Sequence, residues 1–394
     1  MRIGIFTDTY LPDINGVATA SATLAEELAR LGHQVFVVTT NLPGRKQIER
    51  EGNVIRIPGI VLKRLYSYRM ARPFSKKAYD ILKDIPLDLI HVQTEYGIGM
   101  FGRIVAWIRN IPLVYTYHSL YVDFTQTIAK GNKVVNSALV RLVTFLSKDL
   151  AEGPAEFTTP SLKTAEALRS YGVNRYINII PNGIDMSRFN PTAASRARAQ
   201  DFRREYGLMG MKVLSVVGRV GQEKGIDFLL RCLRRYVDET LDEKVRLLIV
   251  GDGPYMPQIR ELVDHLWLSN FVIFTGRIPF ERISEVYQAS DALLTGSRSE
   301  TQGLTVNEAM ASRCPVLARC DPSFAQSVRD GETGFFFWDE NTFTMRLKQI
   351  FSMDDQAREQ MLDKAQSENE EKFSPLRFAK EMEHVYKKAL RRYW

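Results

Sequence analysis

The 394-residue chain is 45% hydrophobic and 25% charged, with a formal net charge of +7; this excludes a collagen-like or disordered protein and supplies apolar material for two cores in roughly two to three domains. Its three cysteines, Cys232, Cys314 and Cys320, are too few for a disulfide framework. No secretory pattern occupies Arg2 to Asp8, so a reducing, cytoplasmic setting is expected.

Arg2–Thr7 reads as a short apolar strand, followed by a loop from Asp8 to Gly16. Val17–Leu31 then carries Ala18, Ala22, Ala25, Leu28 and Leu31 at helical spacing. Gly32 stops that helix, and His33–Thr40 is a buried strand. Leu87–Gln93, Leu113–His118 and Phe157–Pro160 are further strands, and this alternation implies a parallel sheet covered by helices on both faces. Between them, Ala138–Leu150 is the longest apolar run. Arg141 and Lys148 interrupt it, and no run reaches the roughly 18 residues of a membrane span.

The rhythm restarts after Asn190-Pro191. Lys212–Val217, Val245–Val250, Val272–Phe274, Ala292–Thr295 and Pro315–Ala318 read as strands; Gly225–Tyr236, Gln258–His265, Ile283–Ala289 and Thr305–Ala311 fit the helices between them. The fold class is therefore α/β, with two doubly wound Rossmann-like domains facing a cleft. The expected boundaries are 1–185 and 186–374, with the seam near Ile184–Pro191. A last helix within 375–394 has Phe378, Met382, Val385, Tyr386 and Ala389 on one face. It has no strand to pair with, so it should cross the seam and pack back on the first domain.

In open α/β sheets, ligands bind beyond the carboxyl ends of strands. Directly after Lys212–Val217 comes Gly218-Arg219-Val220-Gly221-Gln222-Glu223-Lys224-Gly225. Its glycines allow close backbone approach, Arg219 offers a planar fork and Lys224 a point charge, which together suit a diphosphate held without a metal. Neither Gly-x-Gly-x-x-Gly nor a P-loop is present, so a dinucleotide-binding or ATPase reading finds no support. After Ala292–Thr295 comes Glu300-Thr301-Gln302-Gly303-Leu304-Thr305-Val306-Asn307-Glu308. Free N–H groups at a helix start near Gly303 and Leu304, flanked by Glu300 and Glu308, fit a sugar, a phosphate and a ribose diol.

These motifs, taken in order with Pro12–Gly16, His118, Pro181-Asn182-Gly183-Ile184-Asp185, Gly251-Asp252-Gly253-Pro254 and Phe274-Thr275-Gly276, resemble the retaining glycosyltransferases of family four, which have the GT-B fold. The resemblance runs the whole length of the chain. It implies an acceptor-binding first domain and a nucleotide-sugar-binding second domain. Gly16 would lie against the donor diphosphate, which Arg219 and Lys224 would neutralise. Arg277 and Ile278 would meet the base through backbone groups. Glu300 would hold the transferred sugar, the N–H groups of Gly303, Leu304 and Thr305 would lie beside sugar and phosphate, and Glu308 would bind the ribose. His118 would touch the sugar near the reacting carbon; without the family context, it reads as a structural histidine. Retention follows from the family, and UDP-glucose is the expected donor, with no metal and no other cofactor.

Within that family, Phe6-Thr7-Asp8-Thr9-Tyr10, His91-Val92-Gln93-Thr94-Glu95, Thr116 through Phe124 and Ile128-Ala129-Lys130-Gly131 resemble the bacterial diacylglycerol glucosyltransferases. A lipid acceptor and a peripheral position at the inner face of the cell membrane follow as expectations. Charge distribution fits them. Residues 1–180 hold 22 basic and 15 acidic residues, and the remainder is balanced. Segment 56–83 concentrates Arg56, Lys63, Arg64, Arg69, Arg72, Lys76, Lys77 and Lys83 against Asp80 alone, interleaved with Ile60, Val61, Leu65, Tyr66, Tyr68, Met70 and Phe74. This mix is expected to meet an anionic membrane surface, the plainer alternative being a solvated face. No aromatic-basic platform for nucleic acid is present. The rival functions are transfer to a soluble sugar or a polysaccharide precursor, nucleotide-sugar epimerisation or hydrolysis, and sugar binding without turnover.

Overall fold

Parallel strand pairing organises both halves of the chain. A computed structural model describes residues 1–13, 15–62, 68–120, 122, 129 and 132–393. Its contacts divide the chain into two units, one formed by Met1–Gly183 with Pro375–Trp394 and the other by Ile184–Ser374.

The first unit contains β1 (Arg2–Phe6), β2 (Gln34–Thr40), β3 (Glu49–Glu51), β4 (Val54–Ile57), β5 (Gly59–Leu62), β6 (Tyr68–Ala71), β7 (Leu89–Val92), β8 (Leu113–Thr116), β9 (Glu156–Thr159) and β10 (Asn178–Ile179). Eight of them form one sheet in the order β10-β9-β8-β7-β1-β2-β4-β3; β5 and β6 form a separate hairpin. Pairing in the large sheet is parallel except between β3 and β4. Side chains alternate across it, as strand geometry requires. Ile3, Ile5, Val35 and Val37 pack with helices Gly16–Arg30 and Pro375–Tyr393 on one face. Phe6, Val38, Ile90 and Val92 pack with helix Gly97–Arg109 on the other.

Helix Pro375–Tyr393 buries Phe378, Met382, Val385, Tyr386 and Ala389, the stripe that the sequence pattern picks out, against the first sheet. It thus belongs to the first unit although its sequence follows the second. Helix Gly16–Arg30 begins at Gly16, so that residue is the first of the helix and not part of the preceding loop. The cause is Asn15, whose side chain accepts a hydrogen bond from the Ala18 N–H at 3.0 Å and so caps the helix there.

The basic segment 56–83 is not a uniform charged face. Arg56 on β4 is buried, and its Nη2 donates to the Leu11 carbonyl at 2.7 Å. Arg69 on β6 is buried and ion-paired with Asp13. Guanidinium groups taken out of water need such partners, and these two are therefore part of the scaffold. Arg72, Lys76, Lys77 and Lys83 remain exposed, with Ile60, Met70 and Phe74. Lys63, Arg64, Leu65 and Tyr66 lie outside the described residues, as do Tyr121, Asp123, Phe124, Ile128, Lys130 and Gly131.

The second unit contains β11 (Lys212–Val217), β12 (Val245–Val250), β13 (Val272–Gly276), β14 (Ala292–Thr295), β15 (Val316–Arg319) and β16 (Phe335–Phe337). They form a parallel sheet ordered β13-β12-β11-β14-β15-β16. Leu214, Leu247, Ile249, Leu294 and Leu317 face one helical layer; Val213, Leu248, Leu293 and Val316 face the other. The chain runs outward from β11 to β13 and then returns past β11 to β14. The strand order reverses between β11 and β14, and this reversal opens a crevice at their carboxyl ends. Both fold expectations are met: each unit is a Rossmann-like α/β layer structure.

Candidate functional site

The loops after β11 and β14 meet at the reversal. Gly225 has φ +63°, and a Cβ built on it would lie 2.3 Å from the carbonyl oxygen of Gly296. Only glycine permits this backbone conformation at this separation without strain. The contact sets Lys224, on one loop, opposite Glu300, on the other, with Nζ 2.5 Å from Oε1. The Ser297 hydroxyl adds a second tie, donating to the Glu223 carbonyl at 3.3 Å. Arg219 is ion-paired with Glu223. Gly218, Arg219, Lys224, Glu300 and Thr305 thus line one pocket in the second unit. Glu223 carries no role in the sequence reading, although its four-residue spacing from Arg219 is a signal for such a pair.

Helix Leu304–Ala311 starts from the same edge of the sheet. Its N-cap, Gly303, has φ +75°, and a Cβ there would come within 2.5 Å of the Phe324 ring. The helix therefore begins against that ring, with the first-turn N–H groups of Leu304 and Thr305 at its open end. Asn307 anchors it: Ser327 donates to Asn307 Oδ1 at 2.5 Å, and Asn369 Nδ2 donates to the Asn307 carbonyl at 2.7 Å. Glu308 accepts a 2.7 Å hydrogen bond from the Tyr287 hydroxyl. Burial pushes the Glu308 carboxyl up to about 7, opposed by the Tyr287 donor. Arg277 is 83% exposed just beyond β13, with Nε 4.0 Å from Asp252, while Ile278 packs at the edge of the core.

The two remaining candidates belong to the first unit. Gly16 is exposed at the start of its helix. His118 is buried, two residues beyond β8, and hydrogen-bonded to Gln93 with Nε2 2.6 Å from Oε1. The Gln93 oxygen accepts, so the His118 proton sits on Nε2. Gln93 Nε2 donates to His91 Nδ1 at 3.1 Å, and the Tyr386 hydroxyl donates to the same nitrogen at 2.7 Å. His91 Nε2 then donates to Thr116 at 2.7 Å. This chain of bonds fixes the orientation of Gln93 and both histidine tautomers. Burial pushes His91 down to about 3 and His118 down to about 4, so both rings are neutral near pH 7. Gln93 and Tyr386, which hold His118 in place, enter the sequence reading as part of the His91–Glu95 stretch and of a helical stripe, with no role assigned to either.

Two cations beside a helix N-terminus suit a diphosphate, and adjacent carboxylates suit hydroxyl groups. The comparisons with known proteins agree with that chemistry. Residues 14–188 match the model described as Glycosyltransferase Family 4, and residues 199–368 match Glycosyl transferases group 1. The chain is 34% identical over 342 residues to an alpha-monoglucosyldiacylglycerol synthase of Streptococcus pneumoniae, covering 86% of this chain and 76% of that one. It is 32% identical to the synthase of the same name from Acholeplasma laidlawii, covering 86% and 85%. The crystal structure of Anabaena HepE in complex with UDP and glucose superposes with a TM-score of 0.75 at 17% identity, covering 98% of this chain and 100% of that one. That likeness is one of fold.

The histidine network makes stability pH-dependent. Both folded-state values lie below the roughly 6.5 of an unfolded histidine, so the unfolded chain takes up protons first. Their contribution is complete above about pH 6.5 and is lost as the pH falls toward about 4 for His118 and about 3 for His91, at up to about 1.4 kcal/mol per pH unit for each ring. Urea unfolding of the wild type should show a falling midpoint across that window. His118→Gln, which has no ring to titrate, should show a shallower fall; identical slopes would contradict the assignment.

Proposed function

The chain belongs to the family 4 glycosyltransferases, and we propose that it is a retaining hexosyltransferase that moves glucose from UDP-glucose to the hydroxyl of a lipid such as 1,2-diacylglycerol at the cytoplasmic membrane face. The observation that carries the donor half is the apposition of Lys224 and Glu300 at the reversal between β11 and β14. It joins a phosphate-binding charge to a sugar-binding carboxylate. The acceptor half is supported by the two monoglucosyldiacylglycerol synthases that are 32–34% identical to it over 86% of the chain.

In this reading, Arg219, Lys224 and the N–H groups of Gly303, Leu304 and Thr305 receive the diphosphate. Glu300 orients the glucose hydroxyls, Glu308 accepts from the ribose, and the backbone at Arg277 and Ile278 meets the base. Charge grows on the diphosphate oxygen as its bond to the sugar C1 breaks. Fixed cations stabilise that charge without reorganising, and no metal is needed. The new bond forms from the acceptor oxygen to C1 on the face that the diphosphate leaves, and the acceptor proton passes to the departing diphosphate oxygen. The His118 ring, neutral and with its tautomer set by Gln93, can serve as a hydrogen-bonding group and not as a cation.

The test offers UDP-glucose, UDP-galactose, UDP-GlcNAc and GDP-mannose with diacylglycerol in anionic micelles and reads the products by mass spectrometry and anomeric NMR. An α-glucosyl lipid from UDP-glucose, formed equally in excess EDTA, is the expected result. Lys224→Ala should reduce turnover by about a hundredfold or more. Transfer to a soluble sugar alone, or release of free glucose, would replace the lipid reading with its rivals.

Glu308 gives a separate test. Ribose hydroxyls donate to the ionised carboxylate, so binding at neutral pH should expel its proton. Affinity for UDP should therefore rise with pH through about 7, by at most about tenfold per unit. Calorimetry should find this component absent in Glu308→Gln and shifted to higher pH in Tyr287→Phe, where the donor that favours ionisation is gone. A pH profile unchanged in Glu308→Gln would remove Glu308 from the ribose site.

A further inference from the structure

The first sheet carries a relay of polar side chains that ends on the His118 ring. His91 on β7, Thr116 at the end of β8 and Thr158 on β9 are buried side by side and joined by hydrogen bonds of 2.7 and 2.5 Å. Gln93 links this row to His118, accepting from its Nε2 at 2.6 Å and donating to His91 Nδ1 at 3.1 Å. Tyr386 enters from helix Pro375–Tyr393 and donates to the same His91 nitrogen at 2.7 Å. Aliphatic side chains ordinarily fill such a position, and buried polar groups cost free energy unless each is partnered. The relay adds no apolar burial. What it does supply is a fixed orientation for the ring at its end.

The amide at position 93 is the part that chemistry singles out. It must accept from one ring and donate to the other, which a carboxylate cannot do. With the proton held on Nε2, His118 Nδ1 is an acceptor. An uncharged partner also leaves burial as the dominant influence, which keeps His118 at about 4 and His91 at about 3. Burial keeps Tyr386, Tyr115 and Tyr117 protonated beside them. The nearby carboxylates are engaged elsewhere: Glu95 accepts from Tyr115 at 2.6 Å, and Glu156 on β9 is matched by Lys388 at 3.1 Å and Arg392 at 2.7 Å. Those two cations belong to the same helix as Tyr386, so the helix that supplies the hydroxyl is anchored to the sheet a second time.

We propose that Gln93 is a positioning residue for glycosyl transfer, acting through His118, and that the Tyr386 hydroxyl holds it in register through His91, so that turnover depends on the seating of the C-terminal helix on the first sheet. This deepens the proposed function and rests on the role given there to His118 as a hydrogen-bonding group. Gln93 and Tyr386 touch no substrate in this account. They decide which His118 nitrogen carries the proton and where the other one points.

The experiment measures UDP released by the full-length protein from saturating UDP-glucose with diacylglycerol in anionic micelles, and divides the kcat of each variant by that of the wild type at the same pH. Gln93→Met should lower kcat by about ten- to a hundredfold with UDP affinity unchanged. Tyr386→Phe, which keeps the ring and loses the hydroxyl, should lower it by about fivefold. Val385→Ala on the same helix removes buried packing; it should lower the urea midpoint and leave kcat as in the wild type. Gln93→Glu keeps an acceptor for His118 but brings an anion, which makes the ring more basic. Below its raised value the ring takes a proton on Nδ1 and turns from acceptor to donor. The kcat ratio should therefore fall about tenfold as the pH drops from about 8.5 to 6, and recover on return. Gln93→Met at the wild-type rate would overturn the proposal. So would a ratio in Gln93→Glu that does not change with pH, or equal losses of kcat in Tyr386→Phe and Val385→Ala. His118→Ala separates the two readings: slow turnover there, with Gln93→Met at the wild-type rate, removes the positioning role alone, whereas wild-type turnover in His118→Ala removes the role of His118 and this proposal with it. UDP release without a glucosylated lipid counts against the acceptor alone.

Discussion

The second unit depends on one backbone contact, the approach of Gly225 to Gly296 where the strand order reverses. Parallel topology brings the carboxyl ends of β11 and β14 side by side, but neighbouring strand ends alone do not place two side chains within hydrogen-bonding distance. The glycines do, because no Cβ separates the loops. Lys224 and Glu300, far apart in sequence, then share one pocket with Arg219 and the start of helix Leu304–Ala311. Each partly buried charge is matched before any ligand arrives. A diphosphate that draws on Lys224 must therefore compete with Glu300, and a sugar that draws on Glu300 must compete with Lys224. Losing either partner leaves the other charge uncompensated, which is why the pair acts as a unit.

The first unit solves a different problem. Its sheet centre carries polar side chains where a parallel sheet ordinarily places aliphatic ones. His91, Gln93, Thr116, Thr158, His118 and Tyr386 are buried, and each finds a partner within the group. Such a network is costly if broken and specific if complete. Tyr386 comes from the last helix, so the C-terminal segment helps to set the orientation of a ring near the end of β8. The return of that helix to the first sheet is thus tied to the His118 network as well as to the core.

Much of this was legible in the sequence because it rests on apolar patterning. Strands β11, β12 and β14 occupy the predicted ranges, since each is a continuous apolar run between loops. The terminal helix announced its buried face through Phe378, Met382 and Tyr386. The loops that carry Arg219, Lys224 and Glu300 were legible because they follow strands, and the roles proposed for these residues came from family likeness. What escaped was pairing. Arg56 and Arg69 look like surface charge in a basic run, and only the fold shows Leu11 and Asp13 waiting for them. Glu223 and Gln93 sit inside quoted motifs without a role of their own, and Tyr287 lies outside them; each acts by a hydrogen bond to a neighbouring candidate. Helix Lys133–Glu152 has the composition of a buried segment, and its apolar run gave no sign of facing solvent.

The central claim is that Lys224 and Glu300 form one donor-binding unit held together at the strand reversal. A double-mutant cycle tests it most directly, with Lys224→Met, Glu300→Gln and the double variant compared with the wild type by calorimetric affinity for UDP-glucose. The account predicts that each single change weakens binding and that the double change weakens it by less than their sum, by about 1 kcal/mol or more. Effects that add to within about 0.3 kcal/mol would mean that the two residues act independently, and would contradict it.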